Sequence, residues 1–217
     1  MRFALTILIL IALYSTSFTQ DEKIFESFVD SISINQNLSF KVEFLRYGLK
    51  PDKDHWVKII FLKKEINYWE EVFRFESERN QTHINFPKLE DFNSDGFLDF
   101  SYVPFLAAKG ANELRELFVF DSVSNNFIHI KNSSDYPNLK YNVEFDNYTG
   151  WAFHGGTTQY FLSLEVDTLI ELASIDINGF ERGLTIYDRN GEVSFSKFDS
   201  IQEEGFPFYK NYDPIEE

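Results

Sequence analysis

Polar and apolar residues alternate along most of this chain. Phe40, Val42 and Phe44 are interleaved with Lys41 and Glu43. A period of two puts successive side chains on opposite faces, so it predicts a half-buried β-strand. The stretch 55–62 is denser in apolar residues and predicts a central strand, while 68–75 alternates less cleanly through Trp69, Val72, Phe73 and Phe75. Further strands are predicted over 98–105, 141–145, 159–164 and 168–177. Two hairpins stand out. Leu117 to Phe120 and Phe127 to Ile130 flank a polar connection over 121–126, and Leu184 to Tyr187 and Val193 to Phe195 flank Asp188-Arg189-Asn190-Gly191. An Asn-Gly pair between alternating strands is the strongest short-range hairpin signal, because both residues accept positive φ.

Helical spacing is scarce. The segment 21–32 has the pattern of a short amphipathic helical turn or two. The segment 107–117 contains Ala, Glu, Leu and Arg but is interrupted by Gly110, and it reads as a loop. Short strands separated by turn signals predict an all-β fold, an antiparallel sandwich or an open propeller-like barrel with one calcium loop. The expected organisation is a signal peptide at 1–19, a β-rich domain over 20–210 and an acidic tail at 211–217. Within that domain the divisions are an N-terminal lobe at 20–85, an inner part at 86–177 and a hairpin at 178–200.

Arg2 followed by the apolar run Phe3 to Tyr14, with Ser17 and Thr19 before Gln20, has the layout of a cleavable export leader. The run is shorter than the roughly 20 residues that span a bilayer. The chain has no cysteine, which excludes a lipid anchor at the cleavage site, disulfides, a thiol nucleophile and cysteine-ligated zinc. The expected location is therefore periplasmic or secreted, without lipidation. Loss of Arg2 leaves 19 basic against 35 acidic side chains, a net −16. That sign disfavours nucleic acid and anionic membranes as partners and suits cations or a basic protein.

One stretch carries specific chemistry. Asp91, Asn93, Asp95 and Asp99 stand at positions 1, 3, 5 and 9 of a segment with Gly96 at position 6. Calcium takes six to eight oxygens, and a short loop supplies them only by curling tightly, which glycine permits. Asp91, Asn93 and Asp95 are the expected side-chain ligands, Phe97 the carbonyl donor, and Asp99 the residue that closes the shell directly or through water. Position 12 is Tyr102 and the flanks read as strands, so the site is not an EF-hand. It resembles the β-flanked calcium loops of integrin α-subunit blades and of bacterial repeat proteins with the same nine-residue pattern.

Other chemistry is less specific. His154-Gly155-Gly156 is similar in composition to the oxyanion strip of esterases, but no Gly-x-Ser-x-Gly elbow accompanies it, and a loop between strands is expected. His55, His83 and His129 show no metal-ligand spacing. Paired carboxylates of a glycoside hydrolase have no specific support among 35 acidic residues. Trp56, Trp69 and Trp151 lie in or beside apolar segments, which predicts core packing over a sugar-binding platform. Asn37, Asn80, Asn132 and Asn147 fit the N-glycosylation pattern.

From Pro87 to Ile175 the order of features resembles the bacterial periplasmic inhibitors of invertebrate-type lysozyme and the related immunity proteins of interbacterial killing systems. The matching pieces are the acidic loop 91–99, the small residues at 107–111, and Leu117-Phe118-Val119-Phe120-Asp121 with Phe127. They continue with the Gly- and Tyr-containing segment 155–160 and with Leu169-Ile170-Glu171-Leu172. The resemblance implies a protruding loop that plugs a lysozyme cleft, formed here by His154, Gly155, Gly156, Thr157, Thr158 and Tyr160. It thus implies a non-catalytic, calcium-braced protein that binds and blocks a basic wall hydrolase. A calcium-clipped adhesion or glycan-binding surface module is the alternative.

Overall fold

The computed structural model describes residues 23–35, 38–50, 53–79, 86–201 and 207–212. The leader, Asn37, Asn80, His83 and the chain end at 213–217 lie outside these. Three antiparallel sheets, each a simple meander, are stacked face to face without closing into a barrel. Sheet A contains β1 (Lys23–Asn35), β2 (Leu38–Lys50), β3 (Lys53–Lys64) and β4 (Trp69–Arg79), in that order. Sheet B contains β5 (Lys88–Glu90), β6 (Asp99–Ala107), β7 (Asn112–Asp121) and β8 (Asn126–Ile130). Sheet C runs from its edge strand β9 (Lys140–Asn142) through β10 (Asn147–Phe153), β11 (Thr157–Glu165), β12 (Thr168–Asn178) and β13 (Glu181–Tyr187) to β14 (Val193–Ser200).

The alternation in sequence explains the stacking. In β2 and β3, Phe40, Val42, Phe44, Val57, Ile59 and Phe61 all face inward and are fully buried. They meet Phe100, Tyr102, Phe118, Phe120 and Phe127 of sheet B. The rings of Phe61 and Phe127 stack at 4.2 Å across this interface. The apolar run 117–120 in β7 serves two cores at once. Phe118 and Phe120 point to sheet A, whereas Leu117 and Val119 pack with Ile130, Leu162 and Leu169 against sheet C. Sheet B is thus covered on both faces, which an antiparallel sheet in a two-layer sandwich seldom is. The outer side of sheet C holds a third cluster, where Phe161, Ile175, Ile177 and Leu184 are partly covered by Tyr209 and Tyr212 of the C-terminal segment.

Four expectations need correction. The stretch read as a helical turn is strand β1, in which a bulge between Ile24 and Glu26 breaks the period of two. The stretch read as a loop at 107–117 is a 3-10 turn at Ala108–Gly110 followed by β7, and Leu114 and Glu113 pair with Phe105 and Leu106 of β6. Pairing overrides the helical propensity of Ala, Glu and Leu there. The strand at 141–145 stops at Asn142, whose Oδ1 accepts the N–H of Glu144 as the chain turns. Trp56 and Trp69 are not core residues, for each is 36% exposed. Among the described residues there is no α-helix and no helix long and apolar enough to cross a membrane.

Candidate functional site

The 91–99 loop joins β5 to β6. It curls because Asp91 and Asn93 receive the backbone amides of the turn they precede. Asp91 accepts the N–H groups of Asp95 at 3.1 Å and Gly96 at 3.0 Å, and Asn93 Oδ1 accepts that of Asp95 at 3.2 Å. Asp95 accepts the N–H of Phe97 at 2.8 Å, and Gly96 has a φ of 90° that a side chain disfavours. The ring of Phe97 packs on Phe120 at 5.4 Å and pins the loop to the core.

Asp99 differs from the others. It is buried, and its oxygens accept the N–H of Phe120 at 2.8 Å and of Phe92 at 3.0 Å. Burial pushes its carboxyl up to about 7, the two backbone hydrogen bonds oppose that shift, and the neighbouring charge of Asp95 adds to it. Among the described residues no three Asp, Glu or His side chains converge as a complete metal cage. Even so, the donor set suits a hard cation. Asp91, Asn93 and Asp95 put oxygens on the inside of one turn, and a buried carboxylate stands behind them with Asp95 as its charged neighbour.

The segment matched to a plugging loop forms the tip of the β10–β11 hairpin. Only His154 and Gly155 are exposed there, Thr157 and Thr158 are buried, and Tyr160 packs its ring on Tyr136 at 5.3 Å. A Cβ on Gly156 would meet the Ile177 carbonyl oxygen at 2.4 Å, so β12 holds this backbone close. Thr158 donates its hydroxyl to Asp176 at 2.5 Å and lies 2.7 Å from His154 Nε2. In a nucleophilic triad the base takes the hydroxyl proton and the carboxylate orients the base. Here the carboxylate itself accepts the hydroxyl's hydrogen bond, an order that fixes the tip. Beside the tip is a cavity of about 540 Å³ lined by His154, Asp176, Glu181 and Phe198.

The chain matches no protein-family model and no curated protein.

A cavity of about 730 Å³ opens elsewhere, between the β5 edge of sheet B and the β9–β10 edge of sheet C. Arg115 reaches into its wall. Its Nη1 donates to Ser101 Oγ at 2.7 Å and Glu90 at 3.2 Å, and its Nη2 to Glu113. Asn138 bridges the two sheets, donating to the carbonyls of Ala111 at 2.9 Å and Trp151 at 2.7 Å. Trp151 and Phe208 stack nearly parallel at 5.0 Å. Sequence reasoning missed this groove. Arg115 and Glu113 share the period-two phase of Leu117 and Val119, but that signal is lost once 107–117 is read as a loop.

Proposed function

We propose that this chain is an exported, non-catalytic β-protein, braced by one Ca²⁺ in the 91–99 loop, that binds a basic cell-wall hydrolase and blocks it. A single feature carries the reading. The β10–β11 hairpin offers a rigid tip at His154 and Gly155, with Asp176, Glu181 and the exposed Phe198 around the adjoining cavity. Carboxylates beside an exposed ring suit a basic side chain from a partner. The net charge of −15 raises the encounter rate with a cationic enzyme. Asp91, Asn93, Asp95 and the carbonyl of Phe97 would hold the calcium, with Asp99 reached directly or through water. The ion would supply charge neutralisation and tie the entrance of β6 to its own loop.

Purified protein is titrated into muramidase and amidase assays with a panel of basic lysozymes. Stoichiometric inhibition that Glu181→Lys and Phe198→Ser both weaken is the expected result. No inhibition across the panel removes the reading. A second reading, a calcium-clipped adhesion or glycan-binding module, is favoured by a different observation, the aromatic groove at Trp151 and Phe208.

A further inference from the structure

We propose that the groove between sheets B and C binds a neutral oligosaccharide, with a sugar ring against the exposed side of Phe208, which Trp151 backs, and sugar hydroxyls on the Glu90–Arg115–Glu113 cluster. The proposal rests on the glycan-binding reading and adds its site and ligand class. It needs nothing from the hairpin tip, whose cavity shares no residue with this one.

Three features point to a sugar. The first is the aromatic wall. The planes of Trp151 and Phe208 are 8° apart, Phe153 stacks on Trp151 at 6.0 Å, and Phe208 is 57% exposed. Trp N–H groups usually find a partner when buried. That of Trp151 is buried and has none among the described residues, so the ring is placed by stacking rather than anchored by its polar end. A flat apolar face beside an open cavity of about 730 Å³ matches the C–H face of a pyranose ring and the usual size of small-ligand sites.

The second is the polar wall. Arg115 is only 7% exposed, yet the two carboxylates that clamp it are 44% and 36% exposed at their side chains. Their free oxygens can accept hydroxyl protons while the guanidinium keeps them in place. Third, the lining is charge-balanced although the whole chain is strongly acidic. Lys88, Arg115 and Lys140 stand against Glu90, Asp91 and Glu113. A site for an anion or a polycation would carry an excess of one sign, so balance selects an uncharged polar ligand. A peptide fits less well. The sheet edges that border the groove, β5 and β9, are three residues long and offer little ladder for an added strand.

The test uses the mature chain with cellotetraose and the N-acetylglucosamine tetrasaccharide, read by calorimetry and tryptophan fluorescence. A de-N-acetylated, cationic tetrasaccharide is the charged control. Expected are saturable, salt-insensitive binding of a neutral sugar and about a tenfold loss of affinity in Phe208→Ala. Glu113→Gln weakens binding in the same direction, and Trp56→Ala on the outer face of sheet A leaves it unchanged. Melting curves of each variant confirm that it folds. Sugar binding that ignores Phe208→Ala and Glu113→Gln overturns the groove assignment while leaving a glycan-binding module standing. Absence of binding to either neutral sugar overturns both. Preference for the cationic sugar, or tighter binding of an uncharged extended peptide, overturns the ligand class.

Discussion

The side chain of Gln159 holds the backbone of Tyr209 at both ends, donating from Nε2 to its carbonyl at 2.6 Å and accepting its N–H at 2.9 Å. These residues are fifty positions apart, and the pair is buried. The amide acts as a one-residue strand, fastening the C-terminal segment across sheet C and setting Phe208 over Trp151. Gln159→Leu keeps the volume but leaves two backbone groups unpaired, at about 1–3 kcal/mol of stability each. The expected outcome is loss of hydrogen-exchange protection at the Tyr209 amide and a changed tryptophan emission. Unaltered protection would show that Tyr209 is held by its ring alone.

Calcium held as proposed in the 91–99 loop would support the fold without being its foundation. With a dissociation constant of about 10⁻⁴ to 10⁻³ M, about 1 mM ion stabilises by roughly 0.4 to 1.4 kcal/mol. Asp95→Ala also removes the acceptor for the Phe97 amide, so it costs something even in chelator. The measurable prediction is a difference. Adding calcium raises the melting temperature of the parent by about 1–5 °C and leaves the variant nearly unmoved. An equal response in both chains marks Asp95 as a turn residue and nothing more.

Two glycosylation patterns are built into the structure. Asn132 donates to the Leu169 carbonyl and accepts the Leu169 N–H, both at 2.8 Å, and Asn147 is 5% exposed. Neither amide is free to carry a glycan in the folded chain. In a glycosylating host, mass spectrometry of folded, secreted protein is expected to find both unmodified. Asn132→Ala should cost about 1–3 kcal/mol for each group left unpaired, since Leu169 is buried and both its backbone groups lose their partner.

Arg182 gives a pH signature. Its paired hydrogen bonds to Asp199, 2.9 Å from Nε and 2.6 Å from Nη2, hold that carboxyl below the usual range. A carboxyl lowered on folding adds stability that is present above its unfolded value of about 4 and lost as pH falls through the lower folded value. The stability gap between the parent and Asp199→Asn should therefore be constant near neutrality and close below about pH 4. The gap should stay modest, because the pair is partly solvated. Denaturant melts across pH check both statements, and a gap that persists into strong acid would assign it to packing.

Much of the architecture is legible in the chain because burial and period two coincide. Phe40, Val42 and Phe44 announce their inward face, and Asn190-Gly191 announces its hairpin, with Gly191 at φ 78°. The acidic loop is legible for the same local reason, since side chains from 91 to 95 curl onto amides only a few residues away. Legibility fails where a contact is distant or a pattern is broken. Nothing near Gln159 says that it will bind Tyr209, and nothing near Arg115 says that Glu90 will meet it. The bulge in β1 and the turn before β7 disguise strands by shifting their phase. The hairpin tip is legible as a motif, but that Thr158 turns inward depends on Asp176 across the sheet.

The double duty of the 117–120 run bears on how this protein can be dissected. A fragment ending after Ile130 would keep the aromatic interface between sheets A and B, yet turn Leu117, Val119 and Ile130 outward as a raw oily surface. A fragment starting at β9 would bare the opposite half of the same seam. Neither piece is a natural unit for expression, and each should self-associate on its own. Mixed together, the two halves have complementary bare faces and should reassemble into one particle.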